Sequence, residues 1–259
     1  MQKVMFHSTI FGPIHSRRLG TSLGVNLDPD DGKVCSFDCL YCEAGFNAQG
    51  TGTTGLPPRL KVKEMLEAKL KVMSVAGEGL DVITFSGNGE PTMHPDFAGI
   101  IDDTIALRDR YFPQVKISVL TNSTRLDRPE VAAALRRVDN NIAKLDSAVT
   151  ATMRVIDRPV DRNFTSEKAI GDIAQFGSEC IVQTMFLRGT VDGVEIDNTT
   201  PAEVDALIKA YRHIKPRRVM IYSIDRPTPA RTLTKVSREE LEAIAGRIRS
   251  EAGVEVSVA

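Results

Sequence analysis

From about residue 22 onward the chain alternates apolar, often β-branched runs with amphipathic helical stretches, six times in succession. Few folds accept that pattern, because buried strands joined through helices pair in parallel with crossover connections. The strand-like runs fall near 23–27, 81–86, 116–121, 141–145, 180–187 and 218–224, and a short closing strand is predicted at 254–258. Between them, Val62, Met65, Leu66, Leu70 and Met73 recur at helical spacing, with Lys69 as a polar member of the stripe. Thr200-Pro201-Ala202-Glu203 reads as a capping box with proline at the first helical position, ahead of Val204, Leu207, Ile208 and Tyr211. Ser237 and Glu240 form a second box before Leu241, Ile244, Ala245 and Ile248, and Asp127 with Glu130 a weaker one. The reading is an α/β fold: a partial (β/α)6 TIM-like barrel of parallel strands. It forms one domain over 1–259, with a core at 22–259 and an N-terminal extension, 1–21, over the barrel top. Functional groups in such folds gather at the C-terminal ends of the strands.

Composition narrows the setting. At 259 residues and 42% apolar content the chain can bury a substantial core. No run approaches the ~18 apolar residues of a membrane span, and the start lacks a secretory pattern. Four cysteines, three of them clustered, do not make a disulfide framework, which points to a reducing cytoplasm. A formal charge of −1 gives no global case for nucleic-acid binding.

The three clustered cysteines, Cys35, Cys39 and Cys42, follow the first core strand in the run Cys-Ser-Phe-Asp-Cys-Leu-Tyr-Cys. Three close thiolates can hold three irons of a [4Fe–4S] cube and leave the fourth iron without a protein ligand, an arrangement suited to chemistry. A zinc site with His15 or another residue as fourth ligand is the alternative. After the second core strand comes Ser86-Gly87-Asn88-Gly89-Glu90-Pro91, a turn whose glycines permit close backbone approach. The third and fourth strands end in Thr121-Asn122-Ser123 and Lys144-Leu145-Asp146-Ser147. Arg158, Arg188 and Arg226 follow later strands, and Arg17 lies in the N-terminal segment. Guanidinium forks suit a substrate with an anionic group. Tyr222, Asp225 and Arg226, around the last long strand, are further candidates for substrate contact. Cys180 begins a strand at the opposite end from the triplet and reads as a buried structural thiol.

The C-x₃-C-x₂-C spacing, with Gly-Asn-Gly-Glu-Pro about 45 residues on, resembles the signature of the radical S-adenosylmethionine (SAM) superfamily. That resemblance implies that Cys35, Cys39 and Cys42 ligate a [4Fe–4S] cluster whose open iron binds the amino and carboxylate groups of SAM. One electron would then split SAM into methionine and a 5′-deoxyadenosyl radical that abstracts hydrogen from a substrate. It further implies an adenine contact from the backbone at Tyr41, and a contact of Gly87, Asn88, Gly89 and Glu90 with the SAM amino group. Asn122 and Asp146 would meet the ribose or methionyl end, and Lys144 the carboxylate. A flavodoxin- or ferredoxin-type donor would supply the electron, and residues 11–20 would act as a lid.

Further stretches are similar to a bacterial and archaeal wyosine-synthase-like group: 11–20, 22–26, 35–42, 86–91, 183–189 and 224–229. Wyosine synthase acts on a guanosine of transfer RNA, uses pyruvate and carries a second cluster on extra cysteines; here only Cys180 lies outside the triplet. The substrate class, small molecule or RNA, stays open at this stage. A cluster-bearing redox or sensor module without SAM chemistry is a rival reading, and a zinc-binding structural protein another.

Overall fold

The computed structural model describes residues 5–16 and 19–259. Seven parallel strands run in the order β2 (Gly20–Val25), β3 (Val82–Phe85), β4 (Lys116–Thr121), β5 (Asn140–Lys144), β6 (Cys180–Val191), β8 (Arg218–Ser223) and β10 (Glu255–Val258). This is the expected partial barrel, with the closing strand in place. Helices α1 (Arg59–Ala76), α2 (Phe97–Tyr111), α3 (Pro129–Leu135), α4 (Thr150–Asp157), α5 (Ser166–Ala174), α6 (Pro201–Ile214) and α7 (Arg238–Ala252) lie between strands.

Strand parity explains the layering. Leu23, Val25, Ile83, Phe85, Ile117, Val119, Val182, Val219 and Ile221 all belong to one large buried cluster with Val62, Leu66, Leu70 and Met73 of α1 and Phe97, Ile100 and Ile101 of α2. Each such side chain contributes about 1.5–3 kcal/mol on leaving water. The alternate residues face the barrel axis. There Ile142, Ile181 and Met220 form a small separate cluster, with Leu19 and Leu120 packed on it. Cys180 is fully buried in the outer layer and its thiol meets the Gly177 carbonyl, in agreement with a structural role.

The N-terminal stretch enters the sheet. β1 (Ile10–Ser16) pairs antiparallel with β2 as the edge strand, so its described part is built into the barrel wall rather than laid over the top as a separate cover. Its seat is Gly24: a Cβ there would lie 2.0 Å from the Phe11 ring, which itself stacks on Phe6 at 3.8 Å. β6 runs beyond the predicted 187, and its extension pairs antiparallel with β7 (Val194–Asp197) and β9 (Leu233–Lys235).

Capping follows the sequence in part. Ser237 and Glu240 form the full reciprocal box on α7. Thr200 caps α6 by accepting from the Glu203 backbone, but the Glu203 carboxylate turns away to accept from Ser147 (2.6 Å) and Thr152 (2.5 Å), pinning the loop after β5. The Asp127–Glu130 box does not form. α3 is capped at Arg128 without a side-chain bond, and Asp127 pairs with Lys168 at 2.9 Å.

Gly24→Ala should cost about 1–3 kcal/mol, since the methyl group must displace the Phe11 ring. Denaturant unfolding measures it. Phe11→Ala in that background should then cost little more, and an unchanged midpoint for Gly24→Ala would show that the ring is not seated there.

Candidate active site

The cysteine loop follows β2, and backbone hydrogen bonds sew it into its surroundings. Leu40 N–H donates to Ile156 O (2.9 Å), Asp38 N–H to Asp157 O (2.9 Å), Glu90 N–H to Val34 O (2.9 Å) and Ala230 N–H to Leu40 O (3.2 Å). Inside the loop, Asn47 donates to the Cys35 and Phe37 carbonyls. Lys33 is buried, with its ammonium on Gly45 O at 2.8 Å and Asp38 at 3.4 Å. Burial works against that charge, yet Cys42, Cys35, Cys39 and Asp38 together outweigh it and raise its pKa. A buried cation within electrostatic reach of three thiols is the complement of an anionic thiolate cluster.

The sulfurs also have donors. Asn122 Nδ2 lies 3.5 Å from Cys35 Sγ and 2.9 Å from Ser36 Oγ, and Lys144 Nζ lies 2.9 Å from Cys39 Sγ. Hydrogen bonds to cluster sulfurs are among the features that set cluster potentials. Three thiols on one loop, with Asn122 and Lys144 donating to two of them, fit a three-cysteine iron–sulfur site, since a cube takes one thiolate per iron at separate corners. Burial pushes the Cys35 thiol up to about 12, with the Glu90 carboxylate adding to it, and raises that of Cys39 well above its usual range against the pull of Lys144. Metal loading must displace these protons.

The Gly-Asn-Gly-Glu turn, after β3, is welded to this loop. A Cβ on Gly89 would sit 1.9 Å from Val34 O, and one on Gly87 2.0 Å from Asn26 Oδ1. The two glycines thus let the turn press against the chain leaving β2. Glu90 is fully committed: its carboxylate accepts from Thr92 N (3.1 Å), Thr92 Oγ1 (2.5 Å), Thr121 Oγ1 (2.8 Å) and Asn122 N (2.6 Å). Burial raises its pKa while these donors oppose the rise. The Asn88 side chain is spent on Phe6 N and O and on Pro29 O. Ser123, at φ 72°, takes a left-handed conformation that costs about 1–2 kcal/mol and holds the turn carrying Asn122.

Lys144 stands at the centre of a buried network. Its ammonium pairs with Asp157 and, at 3.2 Å, with Asp146, and lies over the rings of Phe37 (5.0 Å) and Tyr41 (4.9 Å). Tyr41 donates its hydroxyl to Asp146. Burial opposes the Lys144 charge, but Asp146, Asp157 and Cys39 raise its pKa well above the usual range. Asp157, arriving from the end of α4, has no sequence signature near the other motifs. Lys33 does: it stands two residues before Cys35.

The predicted substrate groups are scattered. Arg158 pairs with Asp192 (3.0 Å), and Arg188 with Glu240 (3.0 Å) and Asp197 (3.4 Å); neither lines the barrel interior. Arg226 does line it and pairs with Glu43 at 2.6 Å. Asp225 pairs with Lys235, and Tyr222 packs on the small apolar cluster that also holds Tyr41. Arg17 lies outside the described residues. The interior cavity, about 190 Å³, is lined by Ser22, Thr84, Ser86, Gln183, Leu120 and Ile142 among others, with His15 and Ser16 of β1 at its edge.

The family model of the radical SAM superfamily matches residues 31–192, which span the cysteine loop, the glycine turn and the Lys144 network. The chain belongs to the radical SAM superfamily. That family uses a [4Fe–4S] cluster and SAM, and two structurally similar proteins were solved with SAM bound. A protein of Brachyspira hyodysenteriae named GTPase Obg is 28% identical over 253 residues; the match covers 96% of this chain and 35% of that relative. A UPF0026 protein of Helicobacter pylori is 28% identical, over 90% of this chain and 71% of its own. The crystal structure of a radical SAM methyltransferase from Sphaerobacter thermophilus superposes with a TM-score of 0.67 at 19% identity, over 92% of this chain and 65% of that one. TYW1 with a lysine–pyruvate adduct bound gives 0.64 at 14%, over 91% and 76%. At such identities the structural likeness establishes the fold. No helix among the described residues is long and apolar enough to cross a membrane.

Two outcomes test the electrostatics. Lys33→Met should lower iron bound per chain after anaerobic reconstitution while the far-ultraviolet circular dichroism is retained; undiminished iron would remove the lysine from the site. Asp28, beside Gly89, has its pKa raised to about 8 by burial and by Glu90. The folded state keeps a proton that the unfolded chain releases near pH 4, so stability falls as pH climbs from there towards 8. Asp28→Asn should flatten the decline in melting temperature between pH 5 and 8, and an equally steep decline would place the cause elsewhere.

Proposed function

We propose that this chain is a SAM-cleaving radical enzyme whose Cys35, Cys39 and Cys42 hold the cluster and whose barrel interior receives the substrate. The observation that carries the reading is the weld between the cysteine loop and the Gly-Asn-Gly-Glu turn through Glu90 N–H and Val34 O, with Lys144 on the Cys39 sulfur and Asn122 on that of Cys35. When bound, the cluster supplies the electron that splits SAM and so yields the 5′-deoxyadenosyl radical.

The protein's own groups prepare the site. Lys33 and Lys144 balance thiolate charge, and Asn122 and Lys144 donate to sulfur. Glu90 fixes the glycine turn against the end of β4 through its four donors, so its carboxylate acts by positioning rather than by direct contact with the SAM amino group. Tyr41, Asp146 and Asp157 fix Lys144. Gly87, Asn88 and Gly89 offer backbone groups to SAM, and Tyr41, Asn122 and Asp146 stand beside the space it would take. Glu43 and Arg226, paired at 2.6 Å, line the cavity, where they would limit water and competing hydrogen donors. A flavodoxin- or ferredoxin-type protein serves as reductant in this reading. The fold shared with TYW1 keeps a transfer-RNA base as a second candidate substrate, although the chain's charge of −1 supplies no broad basic surface for phosphates.

Reconstituted anaerobically with iron and sulfide, reduced and given SAM, the protein should release 5′-deoxyadenosine, and Cys39→Ala should abolish that release. A reduced cluster whose electron paramagnetic resonance signal ignores SAM would instead make the chain a redox or sensor module.

A further inference from the structure

One buried polar side chain in the barrel has no role in the account above. Gln183 faces the axis from β6, between Ile181 and Met185, and is only 8% exposed. Its backbone carbonyl accepts from Leu145 N–H, but its side-chain amide makes no hydrogen bond with any described residue, and it lines the interior cavity. The amide opens onto that cavity, so a ligand that displaces water there must replace its hydrogen bonds with a donor and an acceptor of its own.

Its surroundings define that ligand. In the parallel ladder Gln183 sits opposite Lys144 on one side and Met220 on the other. Lys144 touches Cys39, so Gln183 stands about one strand spacing, ~4.8 Å, from a group in contact with the cluster loop. In the same cavity Ser22 and Thr84 share a hydrogen bond of 2.8 Å, and each hydroxyl keeps capacity for another. Leu120, Ile142 and Met220 supply the apolar wall. The described cations beside the cavity are already matched: Arg226 by Glu43, and Lys144 by Asp146 and Asp157. Among the described residues Glu43 is the acid that lines this cavity, and an anion held by Gln183 would also face its amide oxygen and the apolar wall. An amide edge, with one acceptor beside one donor, matches the glutamine on both counts.

We propose that Gln183 is the specificity-determining residue of a substrate subsite in the barrel, and that this subsite takes a neutral group bearing a donor and an acceptor side by side, a carboxamide or lactam edge. The cavity of about 190 Å³ exceeds the ~150 Å³ that holds a benzene ring, so a ring carrying one amide fits. The subsite rests on the enzyme reading above, but its test does not depend on turnover.

The probes are two matched pairs, nicotinamide against nicotinate and propionamide against propionate. Each is titrated into the reconstituted, unreduced protein with SAM present and read by saturation-transfer difference nuclear magnetic resonance. The amides should bind at least tenfold more tightly than their carboxylates. Gln183→Leu should abolish amide binding, and the isosteric Gln183→Glu, which loses both amide donors, should weaken it. Equal or tighter carboxylate binding, no binding of either amide, or amide binding undiminished in both variants would each overturn the subsite. Failure of SAM cleavage with amide selectivity intact would instead overturn the enzyme reading and leave the subsite standing.

Discussion

The carboxylate of Glu90 is the contact on which the rest of the site depends. Four donors from its own turn and from the end of β4 converge on it in a fully buried setting, while its backbone N–H reaches Val34 in the cysteine loop. Three strand ends thus meet at one residue. Asn122, whose backbone is held by Glu90, turns its amide to Cys35, so the geometry around the thiols descends from a carboxylate that touches none of them. Hydrogen bonds to a charged, buried acceptor are stronger than neutral ones, and losing a partner exposes the full desolvation penalty of the rest.

Charge follows the same logic further into the barrel. Lys33 and Lys144 are both largely removed from water, and each has carboxylates and thiols about it. Neither is a surface ion pair of small worth. Each replaces hydration with fixed partners, which would suit the proposed role of carrying a change of cluster charge with little rearrangement.

Much of this was legible in the sequence, and what was not has identifiable causes. Strands β3, β4 and β8 were readable because both faces are largely covered, so apolar residues predominate along them, and β5 by the Ile142–Ala143 pair at its centre. β1 was not, since a Gly-Pro pair interrupts it and its pairing arises from the fit of Phe11 over Gly24, a contact between positions 13 residues apart in sequence. The superfamily was readable because the cysteine spacing and the glycine turn together carry its signature. Lys144 and Asp146 were found at the right strand end, but their partnership depends on Asp157, which only the tertiary fold brings in. Arg158 and Arg188 stood out as possible anion hooks, yet the fold supplies each with an acid from β7, α7 or the turn before β7. A charge read from sequence has no neighbours until the chain is folded. Gln183, by contrast, was within reach of the period-two rule, lying between Ile181 and Met185 on the face that looks inward.

The manner in which the cysteine loop is held has a consequence for the life of the protein. Its backbone is fastened to the loop after α4, to the glycine turn and to the segment before β9 by bonds that involve no metal. The site is therefore a finished socket and not a fold created by its cargo, unlike a zinc finger. The hydrogen bonds that fasten the loop would outlast loss of a cluster to oxygen, so a chain stripped of its metal would be material for repair, where a metal-dependent fold would be material for proteolysis.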